Sequence, residues 1–308
     1  MRTSLFALSS VVVLSMGCAA QSVSSEEEAA ATSDDEISAV SQSYVVLRPD
    51  YRKCMSPICG GYYVRDANRP YGKEVYVSGL DLSLSGLDEL DAAKVTGAPA
   101  NELVLRGKLG AVEKKFNTRA FMVTEAYRGM PGVTVQSGDL FYRAHFRDPQ
   151  ITCITAPCNN TVGQKLNFKP EFDFTTLTVD DAAKPFVDKA WLSRRVLSHD
   201  AIVAAKLRNG AKFPGGYEKV LDASQVFVRI PDLAGPCPMF PIHMCPEGKV
   251  NTFSHNADRC SIPTGCATPG ICPMYMPACE PGYTLASWTS QPAACHAYAC
   301  EPAFLYNE

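Results

Sequence analysis

No apolar run in this 308-residue chain is long enough to cross a bilayer comfortably: the one at the N-terminus covers only residues 5–16, and a spanning helix needs about 20 residues. There is no large charge of either sign. The net charge is -3, so nothing in the charge points to nucleic acid or to a membrane surface. Motifs of the common enzymes are missing as well. The five histidines (His145, His199, His243, His255 and His296) form no H-E-x-x-H pair, which leaves out the usual zinc-protease helix. No G-x-S-x-G is present to make a nucleophile elbow. Glycines occur as isolated doublets, Gly60-Gly61 and Gly215-Gly216, that read as turns and make no phosphate loop. No EF-hand loop and no cofactor motif appears, so no metal and no cofactor is expected. His199-Asp200 is the one adjacent pair that suggests catalysis, and it reads more readily as a helix start or a surface dyad.

Cysteine is plentiful, with 13 in the chain. The first, Cys18, follows Arg2 and the short apolar run. Ser15-Met16-Gly17-Cys18 resembles the lipobox of bacterial lipoproteins, in which the cysteine is diacylated and becomes the mature N-terminus. The resemblance implies a lipid on Cys18, and two acyl chains give a stable anchor. Ala19 in the next position implies sorting to the outer membrane. The other reading is a secretory signal that contains a cysteine by chance. Residues 19–43 are rich in Ala, Ser, Glu and Asp and bury too little to offset the entropy of ordering. As a flexible tether they would reach roughly 25–30 Å. Setting Cys18 aside leaves twelve cysteines, an even set that is expected to pair in an oxidising compartment.

A weak repeat runs through the middle of the chain. Cys54-Met-Ser-Pro-Ile-Cys59 matches Cys153-Ile-Thr-Ala-Pro-Cys158, 99 residues on, and Arg48 and Arg147 stand six places before each pair. Extended stretches flank both: 44–47 and 74–77 in the first, 140–146 and 171–174 in the second. Further strands are expected at 102–109, 116–127 and 225–230, with Phe121, Val123 and Tyr127 on one face by alternation. The second unit should hold a helix capped by Asp180 or Asp181, with Phe186, Ala190, Leu192 and Val196 buried. A short helix over 199–207 should follow, and 82–94 occupies the corresponding place in the first unit. The expected disulfides are Cys54–Cys59 and Cys153–Cys158; a zinc held by these four thiolates is the alternative.

Composition changes at Gly235. Eight cysteines lie between Cys237 and Cys300 in two runs: Cys237, Cys245, Cys260 and Cys266, then Cys272, Cys279, Cys295 and Cys300. A module of this size cannot hold itself by a core alone, so four local disulfides are expected, in a tail that shares little core with the rest. The fold class is mainly β with some helix (α+β). The layout is a signal at 1–18, a tether at 19–43, two related β units at 44–130 and 131–232, and a disulfide-rich module at 235–308.

The stretch from Arg48 through Cys54-Met-Ser-Pro-Ile-Cys59-Gly-Gly-Tyr-Tyr-Val64 resembles an uncharacterised domain family of exported myxobacterial lipoproteins, over residues 44–232. The second unit carries Asn159-Asn160 where the first has Gly60-Gly61. The resemblance implies location and architecture and carries no activity. The tail, from Cys272 to Cys300, resembles small cysteine-rich modules, some of which bind proteins or inhibit proteases.

Arg48, Tyr51, Arg52, Tyr62 and Tyr63 cluster around the first C-x4-C loop. Exposed, they make a binding face; packed, they cover sheet edges. The expected function is a non-enzymatic, lipid-anchored cell-envelope protein, attached to the membrane through its lipid, that binds protein or polysaccharide outside the cell and no nucleic acid. The alternatives are a protease inhibitor acting through tail segment 261–265 or 273–278, and an exported hydrolase with an unfamiliar site.

Overall fold

Alternating β-branched and aromatic residues make strand the commonest regular structure of the described residues. A computed structural model describes residues 41–148, 158, 160–232, 237–242 and 244–306, and among these the fold is mainly β. Cys18 and Cys153, and with them the lipobox and most of the second C-x4-C loop, lie outside the described residues. The first seven elements are β1 (Ser43–Pro49), β2 (Tyr62–Asp66), β3 (Val75–Val77), β4 (Leu80–Asp81), α1 (Glu89–Thr96), β5 (Leu103–Leu109) and β6 (Phe121–Gly129). The next seven are β7 (Leu140–Phe146), β8 (Thr161–Lys165), β9 (Glu171–Phe174), β10 (Thr176–Thr178), α2 (Lys189–Leu197), β11 (Ala201–Phe213) and β12 (Gly216–Ile230).

All twelve of these strands lie in one sheet. The antiparallel pair β6–β12 occupies its middle. Outward from β6 come β5, β1, β2 and β3; outward from β12 come β11, β7, β8 and β9. Short β4 lies parallel to β6, and β10 lies parallel to β12. Local chemistry follows the same order on both sides. Each helix is capped by an aspartate: Asp88 accepts from the Asp91 amide, and Asp188 from the amides of Ala190 and Trp191. Each inner hairpin carries a bulge whose extra residue is a hydroxyl amino acid. Thr124 donates to the Arg106 carbonyl and Ser224 to the Ala204 carbonyl.

Two asparagines in the left-handed region, Asn68 and Asn167, both at φ 65°, tie the two sides together. Asn68 accepts from the Phe141 amide at 2.6 Å and donates to the carbonyls of Phe141 and Leu166. Asn167 accepts from the Tyr44 amide at 2.7 Å and donates to the carbonyls of Tyr44 and Ala67. Asparagine suits this place because it tolerates positive φ and its amide satisfies a strand's N–H and C=O together.

Both sheet faces are buried. Trp191, Leu192 and Val196 of α2 pack on Val203, Ala205 and Val226. Val95 of α1 lies over Leu105, Phe121 and Val123. The residues between these, Tyr44, Val104, Tyr127, Ile202 and Phe227, point the other way into a third cluster drawn from both sides. Fully burying one such side chain contributes about 1.5–3 kcal/mol.

The tail holds two hairpins, β13–β14 (Val250–His255, Ser261–Ala267) and β15–β16 (Tyr283–Ser290, Cys295–Pro302). Each takes two disulfides from the segment before it. Cys237 bonds Cys260 and Cys245 bonds Cys266; Cys272 bonds Cys295 and Cys279 bonds Cys300. The eight tail cysteines therefore pair within each half, first with third and second with fourth. The hairpins also lean on each other, with His255 stacked on Trp288 at 3.9 Å and Gln291 donating to Thr252.

Four expectations are corrected. α2 begins at Lys189 under Asp188, later than Asp180 or Asp181, and Phe186 is 45% exposed in a left-handed turn, with Ala190 also exposed. Residues 201–207 belong to strand β11 and not to a helix; Ala201 to Ala205 are all buried because both faces are covered, and such a run has no strand period to read. Tyr127 does not share a face with Phe121 and Val123, because the bulge at Thr124 shifts the alternation by one. The tail also shares the core: Phe304 is buried against the cluster under α1, within a single compact unit spanning Glu36–Glu308.

Candidate binding surface

Strand β1 ends at Pro49, and the chain turns through the first C-x4-C loop before returning as β2. Cys54 and Cys59 are disulfide-bonded with Cα atoms 5.6 Å apart, which removes both thiolates from the zinc reading. Cys158 is disulfide-bonded too. The loop is held at several points. The Asp50 carboxylate accepts from the Arg52 amide and guanidinium and from the Gly60 amide. The hydrogen bond from Arg52 holds the Asp50 pKa below its ordinary value, against the opposing pull of burial. Arg52 also reaches the Ile58 carbonyl at 3.1 Å, and the Tyr76 hydroxyl donates to Pro57 at 2.9 Å. The glycine doublet has a steric cause at its second member, since a Cβ on Gly61 would sit 2.1 Å from the Val77 carbonyl oxygen.

The five residues singled out from the sequence separate by strand phase. Arg48 and Arg52 stack over the Tyr63 ring at 4.4 and 5.7 Å, and Tyr63 meets Tyr76 edge to face. Tyr62, one residue earlier, points to the opposite face and packs on the core. Tyr51 stands 81% exposed beside the loop. The cations are matched locally, Arg48 by Glu74 at 2.6 Å and Arg52 by Asp50 at 2.9 Å. This patch is a stiff platform with Met55, Ile58 and Tyr51 exposed on it.

The tail builds the same device twice. The segments Cys237 to Cys245 and Cys272 to Cys279 are fixed at both ends to their hairpins by disulfides, and their described residues are irregular. Met239, Ile242 and Met244 are exposed on the first, and Met274, Tyr275 and Met276 on the second. His243 lies outside the described residues. Of the two candidate inhibitory segments, 261–265 is paired as strand β14 against β13 and is no open loop, while 273–278 is open. The sequence signal for these loops was apolar residues between cysteines, where a core would be the usual destination.

The tail docks on α2 through an ion cluster. Arg195, with 4% of its side chain exposed, lies 3.3–3.5 Å from carboxylates of Asp200, Asp232 and Asp258. Arg259 pairs with Asp232 at 3.1 Å and Glu301 at 2.9 Å, and lies over the Trp191 ring. Asp200 is thereby engaged with Arg195, while His199 stacks on His145 at 4.3 Å; the two do not stand as an isolated catalytic pair.

Comparison with known proteins gives two matches. An uncharacterized protein of Dictyostelium discoideum is 28% identical over 260 residues, covering 82% of this chain and 84% of its own length. A match that long cannot fit within residues 1–233, so it reaches the cysteine-rich tail. No solved structure matches. Residues 43–233, the whole twelve-stranded sheet, match the family described as a domain of unknown function, DUF6748, and the chain belongs to that family.

Proposed function

We propose that this is a non-enzymatic protein of the cell envelope, anchored at the outer membrane by a lipid on Cys18, that binds protein or polysaccharide outside the cell. In this reading the sheet is a duplicated β unit serving as a scaffold, and the disulfide-bounded loops are what it presents. The observation that carries the reading is the exposure of large apolar side chains on three loops, each closed or fixed by disulfides. Rigid loops lose little entropy on binding, and Met, Tyr and Ile form the adaptable apolar centre of an interface. Five disulfides among the described residues are compatible with an exported protein. Among those residues no helix is long and apolar enough to cross a membrane. The repeated strand order, bulges, caps and asparagine clasps support the duplication.

The test is cross-linking of the full chain in envelope preparations, with Met274→Asp and Met239→Asp as variants. A partner captured by the parent chain and lost in the variants supports the reading; capture that is indifferent to both overturns it. Intact-mass analysis tests the anchor, which requires a mature chain starting at Cys18 with added acyl mass. A second reading, protease inhibition, is favoured by the open segment 273–278 being fixed at both ends in the manner of a substrate held extended. Inhibition of an endopeptidase that prefers large apolar residues, abolished by Met274→Asp, would establish it.

A further inference from the structure

Methionine is placed unevenly in this fold. Of those among the described residues, the sheet holds Met130 fully buried and Met122 partly buried. The others, Met55, Met239, Met244, Met274 and Met276, all stand on the disulfide-bounded loops and are 69–106% exposed. Leucine would supply the same apolar area; what methionine adds is sulfur. Every cysteine among the described residues is disulfide-bonded, so thioethers are the soft donors left on the surface. Neither tail loop, Cys237 to Cys245 or Cys272 to Cys279, carries a charged residue. Among the described residues no group of three or more His, Cys, Asp or Glu is placed to hold a metal, so the donors that suit zinc or calcium are not gathered there.

The second loop brings two sulfurs close together. Met274 and Met276 flank Tyr275, whose ring lies 6.1 Å from that of Phe186. None of the residues from Cys272 to Cys279 is helical or at positive φ. Pro273 sets its own φ at about −65° and Pro277 keeps Met276 in extended backbone. Residues two apart in such a chain have Cα atoms about 6–7 Å apart. Two unbranched side chains with three rotatable bonds each close that gap to about 4.6 Å between sulfurs, which is twice a metal–sulfur bond of roughly 2.3 Å.

We propose that Met274 and Met276 form a surface site for a soft monovalent cation of the copper(I) class. Thioether sulfur selects such an ion over hard or borderline divalent cations, and an ion that accepts few ligands is satisfied by two. The disulfides at Cys272 and Cys279 fix both ends of the segment, so little chain is ordered when the ion binds. A thioether has no proton to lose, so the site works at any pH at which the protein is folded. Its function needs no protein or glycan partner.

The test is titration of the full chain with Ag(I), which shares the charge and softness of Cu(I) without its redox chemistry. Any free thiol is first blocked with N-ethylmaleimide, and the methionine methyl groups carry carbon-13 for NMR in chloride-free buffer. The signals of Met274 and Met276, assigned from Met274→Leu and Met276→Leu, should move together and saturate. Each leucine variant should weaken binding about tenfold or more, and both positions are exposed, so the fold is kept. Zn(II) at the same concentration should move neither signal. The affinity should stay constant between about pH 5 and 8, where sites built on thiolate or imidazole lose theirs to protons. Leucine preserves the apolar surface, so the double variant should still capture any partner of this loop; failure of the loop reading and failure of this one are therefore separable. Three results would overturn the proposal: no movement at about tenfold excess of Ag(I), binding that weakens on acidification or is matched by Zn(II), and movement of the solitary Met55 at the same silver concentration, which would mark adventitious binding to any exposed thioether.

Discussion

The sheet and the tail solve the same problem in opposite ways. Residues 43–232 bury Trp191, Tyr127, Phe121, Phe174 and Phe227 almost completely, and the disulfide between Cys54 and Cys59 there closes a loop. The tail buries little of comparable size besides Phe304 and two of its own cysteines, Cys260 and Cys300, and leaves most of its methionines in water. Where apolar side chains face inward they hold the fold; where disulfides hold it, apolar side chains are released for the surface. The difference teaches where to look for function, since a region that spends no apolar residues on a core can display them.

The sharpest way to break this comparison is to damage the core. Trp191→Ala removes the largest fully buried side chain, and denaturant unfolding should show a loss of about 3–5 kcal/mol. In the tail, replacing Cys245 and Cys266 together by serine should cost about 2–4 kcal/mol. That loss should be confined to β13 and β14, read as faster hydrogen exchange there with the sheet unaffected; equal acceleration in the sheet would mean the two regions are not held independently. At the join, Arg259→Met removes the cation paired with Glu301 and one of those beside Asp232, which Arg195 still faces, and should loosen the tail by about 1.5–3 kcal/mol, seen as faster proteolysis of residues 237–306. Asn68→Ala and Asn167→Ala each remove three hydrogen bonds at a positive-φ site, for about 1–2 kcal/mol apiece. Their effects should be non-additive in a double-mutant cycle, since each asparagine donates to the carbonyl next to the other's turn.

The smallest effect is one of pH. Burial raises the Asp66 pKa above its ordinary 3.8, with Ser43 and the charge of Arg69 opposing. The folded state therefore keeps this proton to higher pH than the unfolded chain does. Stability should fall as pH rises from about 3.8 through the raised value, and Asp66→Asn should flatten that stretch of the stability–pH curve.

Much of the sheet was legible because its outer strands alternate. The segments 44–47, 140–146, 171–174 and 225–230 fall wholly on strands, and 102–109 does so from Leu103 on. Legibility failed where both faces are buried, as at Ala201 to Ala205, and where a single inserted residue reverses the phase, as at Thr124. The helix cap was misplaced because four aspartates stand between 180 and 200 and only backbone geometry selects Asp188. Of the surface patch, residue types were readable, but the parting of Tyr62 from Tyr63 needed the register.

The crossed order of the tail disulfides changes what a cut would do. Cys272 is tied to Cys295 and Cys279 to Cys300, so the open segment 273–278 has a covalent bridge on each side of it. A protease that severed this segment would release nothing. The nicked chain would run as one species on a non-reducing gel and as two after reduction. The new chain ends would stay at the hairpin, held beside the enzyme that made them.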